Sequence, residues 1–304
     1  MGSHWALPLL IGVLVIGLAV TTPHFLSTQN LTNILIASST LVILAVGAAL
    51  VIGAGGIDLS IGAMMALATS AASTFVLTMG LGAPWMIALC LILGAGIGAI
   101  NGFLAATTLI PPFIITLAIM SIARGLAYVC MDGQLDYGLD PMIVWLGQGT
   151  VLGLPVPILL AILVTLAAHI VLRRTRLGAH LCAYGDAPRA AHAMGINVYR
   201  LKIMLYAGSG VTGAIAGLIY SGRLNTIDPS AGLMIELAAI TAAIIGGAHL
   251  AGGRTSIIGA ALGALLMATL QNGLHLHAIS GFYQSIVIGL VLLVAVALRA
   301  QGRS

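Results

Sequence analysis

Charge is what this sequence has least of. Only 6% of its 304 residues are Asp, Glu, Lys or Arg, against 60% hydrophobic, whereas a soluble domain carries about 25% charged residues to keep its surface wet. A water-soluble fold is excluded. Lysine is reduced to Lys202, which is followed by Ile203, so a phosphate-binding loop of the form G-x-x-x-x-G-K-[ST] has no place here and any ATP hydrolysis must occur on another chain. Cysteine is scarce as well. Cys90, Cys130 and Cys182 are odd in number and scattered, so neither a disulfide framework nor a metal cluster is expected, and each reads as small apolar filler. The eight histidines run from His4 to His277 without an H-E-x-x-H pattern, and no spacing sets a nucleophile beside a base. The chain is not expected to be an enzyme.

A secretory signal is missing too. No basic stretch precedes the first apolar run and "TTPHF" follows it in place of a small-residue cleavage site, so that run is kept as a spanning helix. Met1 to His4 resemble an expression leader and carry no structural weight.

What is present is apolar sequence in long runs. Stretches of 17 to 25 residues are each long enough to cross a hydrocarbon core of about 30 Å as a helix, and they lack the alternation of barrel strands. The expected fold is all-α: a polytopic integral membrane protein of about ten transmembrane helices with broken or re-entrant segments, forming one transmembrane domain over 1–304. The spans read near 6–22, 31–53, 61–79, 84–107, 112–131, 152–172, 203–221, 235–246, 257–274 and 281–298. The eighth is too short alone and needs the following "GGAHL" to reach across.

Basic residues test this count, because they concentrate in short cytoplasmic loops. Arg173, Arg174, Arg176, Arg189, Arg200 and Lys202 all fall between the sixth and seventh spans. With that loop inside, ten spans put Arg254, Arg299 and Arg303 inside too, nine of the eleven basic residues. Both termini are then cytoplasmic, and Asp132, Asp136, Asp140 and Asp228 lie outside. This topology already accounts for the formal net charge of +4, so no nucleic-acid partner is expected.

Small residues are abundant: 39 glycines, with strings such as "GAGIGAING" (94–102) and "GAALGALLMA" (259–268). Helices in lipid associate through close backbone approach at such residues. Tight packing follows, with room for helices to slide.

Few polar residues interrupt the runs. In "GGIDLSIG" (55–62), Gly55 and Gly56 break the second helix and Asp58 to Ser60 can cap the third; the alternative is that Asp58 is a ligand, since broken helices in transporters place ligand sites at such ends. "GGAHLAGGRTSIIG" (246–259) is a loosely similar second break. Arg124 lies within a span and cannot neutralise; it either pairs with a carboxylate or backbone carbonyls, or lines a water-filled path. Asn101, Gln134, Glu236 and Asn272 complete the candidates for polar contact with a passing solute. The connection at about 173–202 is far longer than a reversal needs. Within it, Asp186 to Met194 reads as a short helix with Asp186 as N-cap and Gly195 as stop. It is either a solvated loop held near anionic headgroups or a docking element for a cytoplasmic partner.

Four stretches together, "GGIDLSIGAMMAL", "GAINGFLAATTLIPPFIITLAIMSIARGLAY", "AYGDAPRAAHAMGINVYRLKI" and "IELAAITAAIIGGAHLAGGRTSIIGAALGALL", resemble the permease subunit of ribose-type sugar importers of the ATP-binding-cassette (ABC) class. The resemblance runs from about Phe25 to Leu298. It implies a multi-pass subunit of a bacterial inner membrane that works as a homo- or heterodimer, receives sugar from an extracytoplasmic binding protein and is driven by cytoplasmic ATPase subunits. ATP and Mg would sit on those subunits and no cofactor on this chain. The resemblance also implies that the segment holding Asp186, Pro188, Arg189, Ala190, Ala191 and Gly195 is the coupling helix docked on the ATPase. Two departures are visible. Ala238 replaces the acid of a usual Glu-Leu-Asp, and Asp186-Ala187 replaces a more common Gly-Asn. Two other readings stay open: a secondary transporter coupled to H⁺ or Na⁺ through Asp58, Arg124 and Glu236, or an ABC permease for a branched-chain amino acid, a nucleoside or a signalling furanose.

Overall fold

The computed structural model describes residues 6–301, with the side chains of Ala6 and 298–301 left aside; Met1 to His4 and Arg303 lie outside the described residues. Among the described residues the chain is helical throughout its apolar runs: α1 (Ala6–Thr21), α2 (Thr28–Gly53), α3 (Ile61–Met79), α4 (Ala83–Thr107), α5 (Pro112–Cys130), α6 (Pro141–Gln148), α7 (Val156–Arg174), α8 (Arg176–Asp186), α9 (Pro188–Ala193), α10 (Val198–Leu224), α11 (Ile235–Ile245), α12 (Ile257–Leu276) and α13 (Gly281–Gln301). Seven of these, α2 to α5, α7, α10 and α12, are long and apolar enough to cross a membrane, and three shorter apolar helices, Leu7–Thr21, Ile235–Ile245 and Gly281–Ala297, fall on the remaining spans read from the sequence. The protein is a multi-pass membrane protein.

Four two-residue strands occur outside the spans. β1 (Asp136–Tyr137) pairs antiparallel with β4 (Thr226–Ile227), and β2 (Thr150–Val151) with β3 (Leu154–Pro155). The short helix α6 and these strands lie where the sequence shows only a polar gap, because two to eight residues leave too little periodicity to read.

The centre of the fold is α10, 27 residues and therefore about 40 Å long. It packs on α2, α3, α4 and α6. Its contact with α4 is made by backbone. Gly94, Gly98 and Gly102 recur every fourth residue of α4, and a Cβ on them would strike Gly210 O, Tyr206 O and, at 2.6 Å, the Cα of Ile203. Removing side chains from one stripe lets the two helices touch main chain to main chain, which is where attraction between helices in lipid comes from.

Because α10 is long, its two ends sort the connections. At its start Lys202 Nζ donates to Ala105 O at 2.7 Å near the end of α4. The segments 54–60, 173–197 and 246–256 gather at this end through the contacts described below, and they carry the arginines of the long connection. At the other end Asn225 closes α10 in a left-handed turn (φ 52°) and its Oδ1 accepts from Leu139 N–H at 2.9 Å. Asp136, Asp140 and Asp228 are there. The arginines of the long connection and Asp136, Asp140 and Asp228 thus lie at opposite ends of α10, with Arg223 in its last turn the basic exception.

Two expectations need correction. The long connection is not a loop around one short helix but a continuous helical elbow, α8 then α9. Asp186 is the last residue of α8, and the N-cap of α9 is Ala187, whose methyl cannot accept a capping hydrogen bond. Second, "GGAHL" does not lengthen α11, which ends at Ile245 with the chain turning at Gly246 and Gly247 (φ 115°); the segment before the helix packs against its neighbours instead. The chain from 228 to 234 runs inward beside α5, where Arg124 holds Pro229 O and Ala231 O; Gly232 then rests on Gly62 at the start of α3.

If the α4–α10 contact is the fold's main seam, Gly98→Leu should force the helices apart at a cost of about 1–3 kcal/mol or more. A lowered melting temperature of the detergent-solubilised protein is expected, with Ala99→Leu on the same helix as the milder control; equal melting of the two variants would contradict it.

Candidate functional site

The break between α2 and α3 is the most polar place in the interior. Helix α2 ends at Ala54, and Gly55 (φ 74°) turns the chain. Asp58 is then 1% exposed. Its Oδ1 accepts from Ser60 N–H at 3.0 Å and Ser60 Oγ at 2.6 Å, and its Oδ2 accepts from Ser209 Oγ of α10 at 2.8 Å. Asn101 of α4 donates to Ser60 Oγ at 2.7 Å. From α5, Thr116 Oγ1 donates to Ile57 O and accepts from Leu59 N–H. The expected cap is not formed: the N-cap of α3 is Ser60, without a side-chain capping hydrogen bond, and Asp58 takes the N–H of Ser60 itself rather than one from the first turn of the helix; with these neighbours it instead ties a non-helical segment to three helices.

Directly beneath, both glycine-rich breaks and the helical elbow meet. Gly253 N–H donates to Gly53 O at 2.9 Å, and Thr255 Oγ1 to Ala49 O at 2.9 Å. Gly185 of α8 has no room for a Cβ between Gly53 O and Gly253 N, and Gly252 lies 2.8–2.9 Å, by the same measure, from Gly185 and the Gly55 nitrogen. Leu181 of α8 is fully buried against Gly53. The similarity of the two breaks in sequence is matched by their adjacency in space.

From this junction α9 projects. Of its residues only Ala191 is buried; Pro188, Arg189 and Ala190 are exposed, and Met194 just after it is 83% exposed. Gly195 follows at φ 80°, the left-handed position that ends a helix. Asp186, Pro188, Arg189, Ala190, Ala191 and Gly195 thus lie on one short, mostly exposed connection.

The other polar candidates divide. Arg124, half-buried in α5, donates through Nη1 to Pro229 O at 3.0 Å and Ala231 O at 2.6 Å; the backbone-carbonyl pairing is the one realised. Glu236 stands in the first turn of α11, within electrostatic reach of Arg124, where the helix N-terminus favours a carboxylate; its Oε2 is buried without a hydrogen-bond partner. Ala238, the departure from the family pattern, is buried apolar packing. Asn272 forms a reciprocal amide pair with Asn30 of α2, at 3.2 and 2.9 Å. Gln134 is exposed beyond the end of α5. Of the six pathway candidates, the structure brings together Asp58 with Asn101 and Arg124 with Glu236, and leaves Gln134 and Asn272 apart.

Sequence reasoning missed Ser209, Tyr206 and Thr116. A signal existed: Lys202, Tyr206, Ser209 and Gly213 follow the 4, 3, 4 spacing of a single helix face, and that face of α10 looks onto the break.

A cavity of ≈ 510 Å³ between α1, α11, α12 and α13 is lined by Leu10, Leu14, Leu266 and other apolar side chains and offers no polar handle. A smaller one, ≈ 220 Å³, lies under the first break among Gly55, Gly56, Tyr184, Lys202 and Tyr206.

Helices broken inside a membrane and a projecting elbow define a membrane permease. Residues 30–296 match the family model described as branched-chain amino acid transport system / permease component, and the chain belongs to that family. It is similar to the ribose import permease protein of Escherichia coli strain K12, 40% identical over 293 residues covering 94% of this chain and 91% of that one. It is also similar to the D-allose transport system permease protein of the same strain, 35% identical over 277 residues covering 90% and 84%. Its fold is shared with a solved structure titled an inward-facing conformation of a putative metal-chelate type ABC transporter, at TM-score 0.56 and 14% identity over 96% of this chain and 98% of that one.

Asp58→Leu would strand Ser209 Oγ and Ser60 N–H in the interior, each at about 1–3 kcal/mol. A clear drop in melting temperature is expected, and a smaller one for Asp58→Asn, which keeps the shape and one acceptor. Equal stability of Asp58→Leu and wild type would remove the network's structural role.

Proposed function

We propose that this chain is the permease subunit of a monosaccharide importer of the ATP-binding-cassette class, located in a bacterial inner membrane with both termini cytoplasmic and the chain forming one permease domain. Two copies, or one copy and a related subunit, would enclose the path. Sugar would be handed over by an extracytoplasmic binding protein, and ATP with Mg would be bound and hydrolysed by separate cytoplasmic subunits.

The observation that carries this reading is the way α9 is mounted. An exposed short helix, offering Arg189 and Met194, is joined by Gly185 to Gly53 and Gly253, so a push on α9 reaches both helix breaks with little compliance between. Glycine-on-glycine contacts have no side chains to bend. Alternating access then needs only that small-residue interfaces have two packings and that the ATPase biases them. Relatives named for ribose and for D-allose differ in the number of sugar carbons, so the class of solute is better supported than its identity. Asp58, Asn101, Arg124 and Glu236 are the residues most favoured to flank the path, and a transported solute should bind them weakly to be released.

Arg189→Glu combined with Met194→Asp should weaken co-purification with the ATPase subunit about tenfold or more, as for loss of an interface anchor, and reduce ATP-driven sugar uptake in parallel. Retention of both would displace α9 from this role. Uptake by the purified chain alone, driven by an H⁺ or Na⁺ gradient, would instead favour an ion-coupled transporter using Asp58, Arg124 and Glu236.

A further inference from the structure

Helix α7 is mostly exposed, and an apolar groove runs along its side. The groove, ≈ 320 Å³, lies between α7 and α12 over a floor of α2, among Leu35 and Val42 of α2, Ile162 and Leu166 of α7, and Ile258 and Leu265 of α12. Ile162, Leu166 and Ile258 are each at least half exposed, so the groove opens outward along spanning helices, where hydrocarbon lies. The serines of its floor turn their polar atoms away. Ser38 Oγ and Ser39 Oγ both donate to Leu35 O, at 2.9 and 2.8 Å. What fills such a groove has to be apolar.

Positive charge stands above it. Ile162, Leu166, His169 and Arg173 follow a 4, 3, 4 spacing and so share one face of α7. Along the helix Arg173 is about 10 Å from Leu166 and about 16 Å from Ile162, which is the depth of one leaflet in a hydrocarbon core of about 30 Å. Arg174 adjoins it, Arg176 follows across the corner into α8, and all three side chains are exposed. Among the described residues none of the three is ion-paired, and Asp186, the one acid of this connection, ends α8 about 15 Å from Arg176. Positive-inside topology explains why these arginines are on this side of the membrane. It does not explain why one of them continues the face of α7 that walls the groove. A second copy of this chain fits the groove poorly, because a two-fold axis along the membrane normal sets identical patches face to face and would press Arg173 and Arg174 on their own counterparts. A phosphate joined to a hydrocarbon tail fits both parts, since guanidinium forks match phosphate oxygens and basic pockets at the cytoplasmic ends of spanning helices suit anionic headgroups.

We propose that the groove between α2, α7 and α12 and the arginines at its basic end form a binding site for one anionic phospholipid, with the headgroup phosphate on Arg173, Arg174 and Arg176 close by, and an acyl chain along Leu166 and Ile162. The site straddles the corner between α7 and α8. Thr175, at that corner, donates through Oγ1 to Val171 O at 2.6 Å and accepts from Gly178 N–H at 3.5 Å, and Arg173 is within electrostatic reach of Cys182 in α8. A lipid held by arginines on both sides of the corner braces the root of the elbow that carries α9. The assignment is independent of which solute the chain carries.

Two measurements on the purified full chain test it. In nanodiscs of phosphatidylcholine holding a minor fraction of phosphatidylglycerol with a photoreactive acyl chain, crosslinks are expected on 158–166 of α7 and 258–265 of α12. In mild detergent, titration followed by native mass spectrometry should show phosphatidylglycerol binding more tightly than phosphatidylcholine. Arg173→Gln, at an exposed position, should weaken phosphatidylglycerol about fivefold, as for one basic residue at a charged membrane surface, and leave phosphatidylcholine and the melting temperature unchanged. Ala261→Phe, which fills the groove, should remove the crosslinks from α7 and α12. Equal affinity for the two lipids, undiminished phosphatidylglycerol binding in Arg173→Gln, or crosslinks confined to other helices overturns the site. Displacement of the lipid by inorganic phosphate would reduce it to a headgroup site and overturn the role of the groove. A disulfide formed between two copies of Ile162→Cys in native membranes would give this face to a second copy and overturn it as well.

Discussion

Where a backbone leaves the helical state inside hydrocarbon, its N–H and C=O groups have no water to turn to, and each group left unpaired costs several kcal/mol. Among the described residues two segments between apolar runs leave it, 54–60 and 228–234, and a third interruption, 246–256, lies against the first at the basic end of α10. Each is closed by groups from other helices. Asn101, Thr116 and Ser209 close the first around Asp58 and Ser60; Arg124 closes the second; Gly53 O and Ala49 O of α2 accept from Gly253 N–H and Thr255 Oγ1 of the third. The scarcity of charge in the chain makes these exceptions informative, since the interior acids and the interior arginine are spent almost wholly on this problem.

The same constraint explains why the first and third breaks touch. Two exposed ends placed side by side can satisfy one another, and Gly253 N–H to Gly53 O is that exchange. It requires backbones to meet, so Gly185, Gly252 and Gly253 carry no side chain where they converge. A junction made this way is stiff. It is also the base of α9, so the requirement that buries the breaks fixes the geometry through which a cytoplasmic partner could act.

Much of this is legible in the amino-acid sequence. Apolar runs of span length mark the helices, and the clustering of Arg173 to Lys202 orders their ends. Asp58 behind Gly55 and Gly56 announces a break, because glycine and a carboxylate have no other common reason to sit between two apolar runs. The partners of Asp58 are not legible. Ser209 is 151 residues away, and a lone serine in an apolar helix is ordinarily silent, bonding the carbonyl of its own preceding turn. The inward course of 228–234 is hidden for another reason: it has neither helical nor strand periodicity, and only Arg124, a fixed charge within a span, signals that carbonyls must come to meet it. Asp186 misleads because N-cap preference is local, whereas the register of α8 is set by Leu181 and Gly185 packing into the junction.

The interruptions also differ in how they can move. The first and third are bound to each other and to α2, α4, α5, α8 and α10, so shifting one of them means shifting all. The re-entrant segment is held to α5 by Arg124, both bonds leaving the same nitrogen, and α5 is itself exposed along most of its length. A displacement of α5 relative to α10 therefore either carries 228–234 with it or breaks both bonds at once. Glu236, at the N-terminus of the half-helix that follows, would lose its nearby guanidinium in the second event. The junction on the basic side and the single tether above it thus differ in what a shift of α5 would cost: it separates Arg124 from its carbonyls through one nitrogen, whereas Asp58 is held from α10 and by Ser60 together.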